Sequence, residues 1–226
     1  IQAHGDIDQI KYDDWPDPEA GPGEALIRVR ACGLNYLDLF VLKGMPGLPV
    51  EMPRVSGGDI AGDVAALGEG VGGVEIGQRV LVDPALGRFP SHAIGENTNG
   101  GLCELIAVPA ENLIPLSDDI SYQDAASLPI AYGTALRMMV TRGKVAPYEK
   151  VLILGASGGV GTACVQISRM VGATVYAAAG SDEKLERLKE LGADYGINYT
   201  KDDLSRTAWA LSGKKGMDVI VNFTRS

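Results

Sequence analysis

Residues 150–172 read KVLILGASGGVGTACVQISRMVG. A polar lysine leads into a continuous apolar run at 151–154, the pattern of a strand buried on both faces of a parallel sheet. Glycines 155, 158, 159 and 161 break that run, and Val160, Cys164, Ile167 and Val171 then recur at helical spacing. Glycine lets a backbone come close to a ligand. The first N–H groups of a helix, with the positive end of its dipole, face whatever anion sits there. The chemistry this stretch predicts is the gripping of a pyrophosphate by Ala156, Ser157, Gly158, Gly159, Val160 and Gly161. Ala156, Gly158 and Gly161 take the three positions of the G-x-G-x-x-G dinucleotide fingerprint, with alanine standing for the first glycine. A second apolar strand at 174–179 follows one helix length later, as that motif requires. The plainer alternative is a tight strand-to-helix turn with no ligand.

About 20 residues beyond such a turn, a site for NAD places Asp or Glu against the ribose hydroxyls. Ala178, Ala179 and Gly180 stand there instead, followed by Ser181 and Lys184. A hydroxyl and an ammonium suit a 2′-phosphate by hydrogen bond and ion pair, so the expected cofactor is NADP(H) over NAD(H). Asp182 and Glu183 work against this unless the helix turns them away.

The elements that must hold these residues fall into two kinds. Before residue 116 the chain alternates apolar and polar positions, at 24–33, 59–66, 78–82 and 102–108, and residues 1–5 read as the tail of an edge strand. Residues 35–42 have helical spacing, 44–53 form a Gly- and Pro-rich loop, and 83–101 show no period. Short strands broken by Gly and Pro predict a compact β barrel or sandwich. After residue 121 the period becomes helical at 124–126 and 129–142. The glycine turn follows, then a helix around Leu185, Leu188 and Leu191 stopped by Gly192, and strands at 197–199 and 219–223.

Composition sets bounds on function. With 226 residues and 46% hydrophobic content, the chain can bury a full core in one or two domains. A net charge of -9 and a pI near 4.7 argue against nucleic acid or an anionic membrane surface as partner. The apolar stretches fall short of the ~20 residues of a membrane helix, and no signal segment is read at the start. Cys32, Cys103 and Cys164 are too scattered for a disulfide framework, so a reducing, cytoplasmic setting is expected.

In their order along the chain, EALIRVRACGLNYLD, PRVSGGDIAGDVAALGEGV, GQRVLV, GGLCELIAVPAENLIPL, AASLPIAYGTAL, VLILGASGGVG and EKLERLKELGAD resemble the medium-chain dehydrogenase/reductase superfamily. The resemblance implies a GroES-like β-barrel catalytic domain at 1–118 and a Rossmann domain, a doubly wound parallel sheet of the α/β class, at 119–226. It also implies a substrate cleft between them. Zinc decides the chemistry within the superfamily. Where zinc alcohol dehydrogenases carry their three ligands, this chain has Asn35, Gly58 and Ile130, and Asp59 remains as a lone carboxylate. His92 is the one histidine near in sequence, and 83–101 holds no cysteine for a structural zinc lobe. No metal is expected.

Asn35 followed by Leu37-Asp38 resembles the zinc-free quinone oxidoreductase and enoyl reductase branch. That branch implies hydride transfer from NADPH to a small quinone, enone or enal, with the acceptor oxygen polarised by hydrogen-bond donors and a proton supplied by a side chain or water. Asn35, Tyr36 and Thr134 are the expected catalytic lining, with Asn35 and Thr134 also at the nicotinamide. Tyr199 is implied at the adenosine end, and Asn222, near the end of the 219–223 strand, completes the expected cofactor contacts. Asp38 reads as a brace for the short helix, and Cys32 and Cys103 as core. A homodimer is usual in this branch. Superfamily members run on past the strand at 219–223, so a fragment, a longer chain or an obligate partner is expected, which an intact mass distinguishes. Two other readings stay open: an NADP-binding protein without catalysis that controls a partner, and an alcohol dehydrogenase relative that has lost its metal.

Overall fold

The computed structural model describes residues 1–45, 50–87 and 92–224, and of His92 the backbone alone. The chain divides into two compact units, Ile1–Ile130 and Ala131–Ser226.

In the first unit, alternating sequences form β1 (Glu24–Gly33), β2 (Asp59–Leu67) and β3 (Arg79–Val82), with α1 (Tyr36–Lys43) between β1 and β2. Two-residue strands β4 (Ala85–Leu86) and β5 (His92–Ala93) pair within the stretch that has no period. Then come β6 (Leu105–Pro109), β7 (Leu113–Pro115) and a single turn, α2 (Tyr122–Ala125). The five longer strands make an antiparallel sheet in the order β6-β1-β2-β3-β7. Its apolar face buries Ile27, Ile60, Val64, Val80, Val82 and Val108, each contributing about 1.5–3 kcal/mol.

Two expectations fail here for hydrogen-bonding reasons. Residues 1–5 form no edge strand, because the Ile1 amino group donates to Arg54 O (2.8 Å) and Gly5 N–H donates to Leu42 O (2.9 Å). The strand expected at 102–108 begins at Leu105, because the N–H groups of Gly100, Gly101 and Leu102 donate to the carbonyls of Val55, Gly57 and Ser56 (2.7–2.9 Å). Those donors are spent on the segment entering β2. Residues 46–49 of the loop expected at 44–53 lie outside the described residues, as do residues 88–91.

The second unit opens within α3 (Pro129–Leu136), which continues as a π-helical stretch at Arg137–Arg142 anchored by buried Met139. It proceeds through β8 (Lys150–Leu154), α4 (Gly159–Val171), β9 (Thr174–Ala179), α5 (Asp182–Glu190), β10 (Tyr195–Asn198), α6 (Leu204–Leu211) and β11 (Val219–Asn222). The four strands are parallel, in the order β10-β9-β8-β11. Val151 and Ile153 face α4 and α5 through Cys164, Val165, Leu185 and Leu188, whereas Leu152 packs with Tyr176, Ile197 and Ala208 of α6. Helices on both faces explain why β8 reads as an unbroken apolar run. The sequence reading placed no element at 204–211, although Leu204, Ala208 and Leu211 recur at helical spacing behind an Asp203 cap whose carboxylate accepts from Arg206 N–H (2.9 Å). Among the described residues, no helix is long and apolar enough to cross a membrane.

Candidate active site

The order of the parallel strands reverses at β8, with β9 on one side and β11 on the other. Ligands of open α/β sheets bind at the carboxyl ends of strands where such a reversal occurs, and the glycine turn sits there. Gly155 has φ +70°, and a Cβ on it would lie 2.6 Å from Thr224 Cγ2, so local packing explains that glycine. Gly161 is also packed: a Cβ would meet Gly155 O at 2.5 Å and the Ala156 backbone at 2.7 Å, where α4 crosses its strand. Gly158 differs. A Cβ on it would make only an ordinary 3.6 Å contact with Gly155 O, and Gly159 has the same latitude against Ala131 Cβ. Nothing within the fold requires these two glycines.

Gly158 is the N-cap of α4 and offers no side chain to its amides. Among the described residues, the N–H groups of Gly159, Val160 and Gly161 find no acceptor, as expected of a helix's first turn. Three bare amides, exposed Ser157 and a 13-residue helix dipole make a cradle that fits a pyrophosphate. Val160 is half-buried against the core on the other side of the turn.

Around β9, the side chains sort by charge. Asp182 forms an ion pair with Lys201 and accepts from Asn198 Nδ2 (2.5 Å), and both bonds hold its carboxyl below the usual carboxylate range. Glu183 pairs with Arg187 (2.9 Å) and Glu186 with Lys189 (2.8 Å). Lys184 has no ion-pair partner among the described residues, and the Ser181 hydroxyl caps α5 by accepting from Lys184 N–H (3.4 Å). The Tyr199 ring lies over Gly180, its hydroxyl 3.0 Å from where a Cβ would stand. Asn222 pairs opposite Leu154 at the lip of the sheet, its Oδ1 accepting from the Thr224 N–H (3.0 Å) and hydroxyl (2.9 Å). The turn, Ser181, Lys184, Tyr199 and Asn222 thus all lie at the carboxyl ends of the parallel strands. Thr134 is exposed on α3.

In the first unit the focus is Asp59, at the start of β2 and 2% exposed. Its Oδ2 accepts from Asn35 Nδ2 (2.8 Å) and its Oδ1 from Ile130 N–H (2.7 Å). Burial pushes its carboxyl above the usual range, the two donated bonds oppose that, and nearby Asp38 adds to it. Asp38 accepts from Asn35 N–H (2.7 Å) through one oxygen and from the Ser56 hydroxyl (2.6 Å) and Gly57 N–H (3.0 Å) through the other. It braces α1, as read from the sequence. Tyr36 is 77% exposed, its ring tilted 6.0 Å from Phe40. Burial, with Asp38, Asp59 and Cys103 nearby, pushes the Cys32 thiol up to about 12, so it stays protonated.

The positions of Asn35, Gly58 and Ile130 do converge, but not into a metal site. A Cβ on Gly58 would stand 2.8 Å from Ile130 Cδ1 and 2.8 Å from Ile94 O, so aliphatic carbon and a backbone carbonyl fill the room a ligand side chain needs. Both oxygens of Asp59 are engaged by amide donors. Among the described residues, no three His, Cys, Asp or Glu side chains cluster to hold an ion, and the His92 side chain lies outside them. The residues present do not fit a catalytic zinc, which needs three such ligands. Asn35, Asp59 and Ile130 were each singled out from the sequence through the resemblance, but not the bonds that join them, because Asp59 lies 24 residues from Asn35 and 71 from Ile130 with no local pattern between them.

Comparison with known proteins agrees with both units. Residues 21–118 match the alcohol dehydrogenase GroES-like domain family, and residues 159–226 match the zinc-binding dehydrogenase family. A zinc-type alcohol dehydrogenase-like protein of Schizosaccharomyces pombe is 37% identical over 206 residues, 86% of this chain and 59% of that protein. Quinone oxidoreductase-like protein 2 of Rattus norvegicus is 32% identical over 203 residues, 89% of this chain and 54% of that one. The chain therefore spans little more than half the length of either relative. A crystal structure of an NAD-dependent alcohol dehydrogenase superposes with a TM-score of 0.92 at 36% identity, covering 97% of this chain and 68% of that one.

Proposed function

The chain belongs to the medium-chain dehydrogenase/reductase superfamily, and from that premise we propose that it is a zinc-independent, NADP-dependent oxidoreductase acting on a quinone, enone or enal. The observation that carries this reading is the filling of the three metal-ligand positions by Asn35, Gly58 and Ile130, with the nearby carboxylate bound to amides. Bound at the turn of Gly158 to Gly161, the cofactor supplies hydride. The chain's own residues do the rest. Bare amides of Gly159, Val160 and Gly161 hold the pyrophosphate, and Lys184 with Ser181 meets a 2′-phosphate while Tyr199 packs at the adenosine end. Asp182 and Glu183 are drawn off to Lys201 and Arg187, which supports NADP(H) over NAD(H).

Asn35 keeps one side-chain N–H after bonding Asp59, the donor that polarises an acceptor oxygen. The Tyr36 hydroxyl, exposed and without a hydrogen bond among the described residues, or water, returns the proton. Thr134 is the third lining group. The test is oxidation of NADPH and of NADH by the purified protein across a panel of quinones and alkenals, with metal content measured on the same sample. Turnover with NADPH and no stoichiometric metal is the expected result. Binding of NADPH with no turnover on any acceptor, or one tightly held zinc per chain, overturns it.

A further inference from the structure

A buried carboxylate is a costly way to fill space. Asp59 is 2% exposed, and among the described residues no cation pairs with it. Its charged neighbour is Asp38, of like sign, and the Cys32 thiol beside it is neutral. An apolar side chain would serve the sheet better. What the carboxylate does provide is two acceptors, aimed at two donors: Asn35 Nδ2 and the Ile130 N–H in the first turn of α3.

We propose that Asp59 is a positioning residue, which locks the Asn35 carboxamide in the one orientation that turns its Nδ2 toward the carboxylate and so fixes where its remaining N–H points. A carboxylate only accepts hydrogen bonds, so the flipped amide would set oxygen against oxygen. The backbone of Asn35 is held as well, its N–H donating to Asp38, which in turn is tied to Ser56 and Gly57. The side chain therefore has a fixed root and a fixed face. Gly33 takes part: a Cβ there would meet Ala126 O at 2.4 Å and Asp59 Cβ at 3.0 Å, so the last residue of β1 leaves room for that carbonyl and for the Asp59 side chain. This inference rests on the assignment of Asn35 to the reacting end of the site.

A double-mutant cycle in kcat/KM with NADPH and a responsive quinone separates positioning from mere structure. Asn35→Ala and Asp59→Asn should each lower kcat/KM on the order of 10- to 100-fold, the usual result of a misplaced reacting group. The double variant should be no worse than Asn35→Ala alone. Multiplying losses would mean that Asp59 acts independently of Asn35, and would overturn the proposal. A second readout does not need activity. In protein labelled with 15N at asparagine, one Asn35 side-chain N–H should exchange slowly with solvent and speed up in Asp59→Asn; exchange at the solvent rate in the unmutated protein overturns the proposal. Undiminished turnover by Asn35→Ala instead removes Asn35 from the reaction, sinking the site assignment while the exchange rate still reports whether Asp59 holds the amide.

Discussion

The glycine turn and the Asp59 cluster solve opposite problems. At the turn the chain leaves its own groups unspent: amides without acceptors, and glycines at 158 and 159 that no neighbour requires. Around Asp59 it spends its buried polar groups, since among the described residues no buried side-chain N or O lacks a hydrogen bond. On the proposed reading, the first arrangement receives something from outside. The second is built to hold something already inside. On that reading a binding surface is marked by what the fold neglects and a positioning surface by what it over-determines.

The sharpest way to break this comparison is within the turn. Gly161→Ala drives a Cβ into the Gly155 and Ala156 backbone and should cost about 1–3 kcal/mol. At this chain length that lowers the melting temperature by roughly 2–12 °C. Gly158→Ala meets only a 3.6 Å contact at an ordinary φ of -84° and should stay within about 1 kcal/mol of the starting protein. Yet it should weaken NADPH binding about tenfold or more by obstructing the close approach of the pyrophosphate. Equal stability losses for the two substitutions would erase the distinction between a glycine kept for packing and one kept for a ligand.

A smaller effect is expected at Lys184, which is solvent-facing and without an ion pair among the described residues. Lys184→Ala should lower the ratio of NADPH to NADH affinity by roughly fivefold, the worth of one exposed charge-assisted contact of about 1 kcal/mol. Parallel fluorescence titrations read it, and an unchanged ratio would show that the 2′-phosphate is met elsewhere.

The smallest effects lie in the response to acid, where two carboxylates of the first unit should pull in opposite directions. Burial raises Asp63, but the Tyr122 hydroxyl and the Arg30 guanidinium outweigh it and hold the group below the usual range. Its stabilisation is therefore present above the unfolded carboxylate value and is lost as pH falls through the lowered one. Asp59 is raised, so its cost is absent in acid and grows as pH climbs from the unfolded value through the raised one. Asp63→Asn should make urea midpoints less sensitive to acid. Asp59→Asn should gain in stability relative to the starting protein as pH rises, and a relative loss over that window would contradict the direction assigned to Asp59.

How much of this was legible in the sequence follows the same division. The strand, turn and helix at 150–172 are local, and periodicity with glycine spacing displays them directly. Asp38 was also read correctly, because its partner Asn35 is three residues away. The resemblance grouped Asn35, Asp59 and Ile130 about one ligand set, but the bonds between them were not legible, since they join the starts of two helices and a strand that only the fold brings together. β7 has three residues, too few to show a period, and the shift in the start of β6 depends on carbonyls at 55–57. α6 carried a readable pattern that the sequence reading passed over.

The lack of room at Gly58 also constrains which substitutions this chain can accept. A histidine arising at 58 would collide at once with Ile130 Cδ1 and the Ile94 carbonyl, before any metal could reward it. Truncation at 130 would have to come first and the backbone at 94 would still have to move, so a metal ligand at 58 has no single-step beginning from this chain.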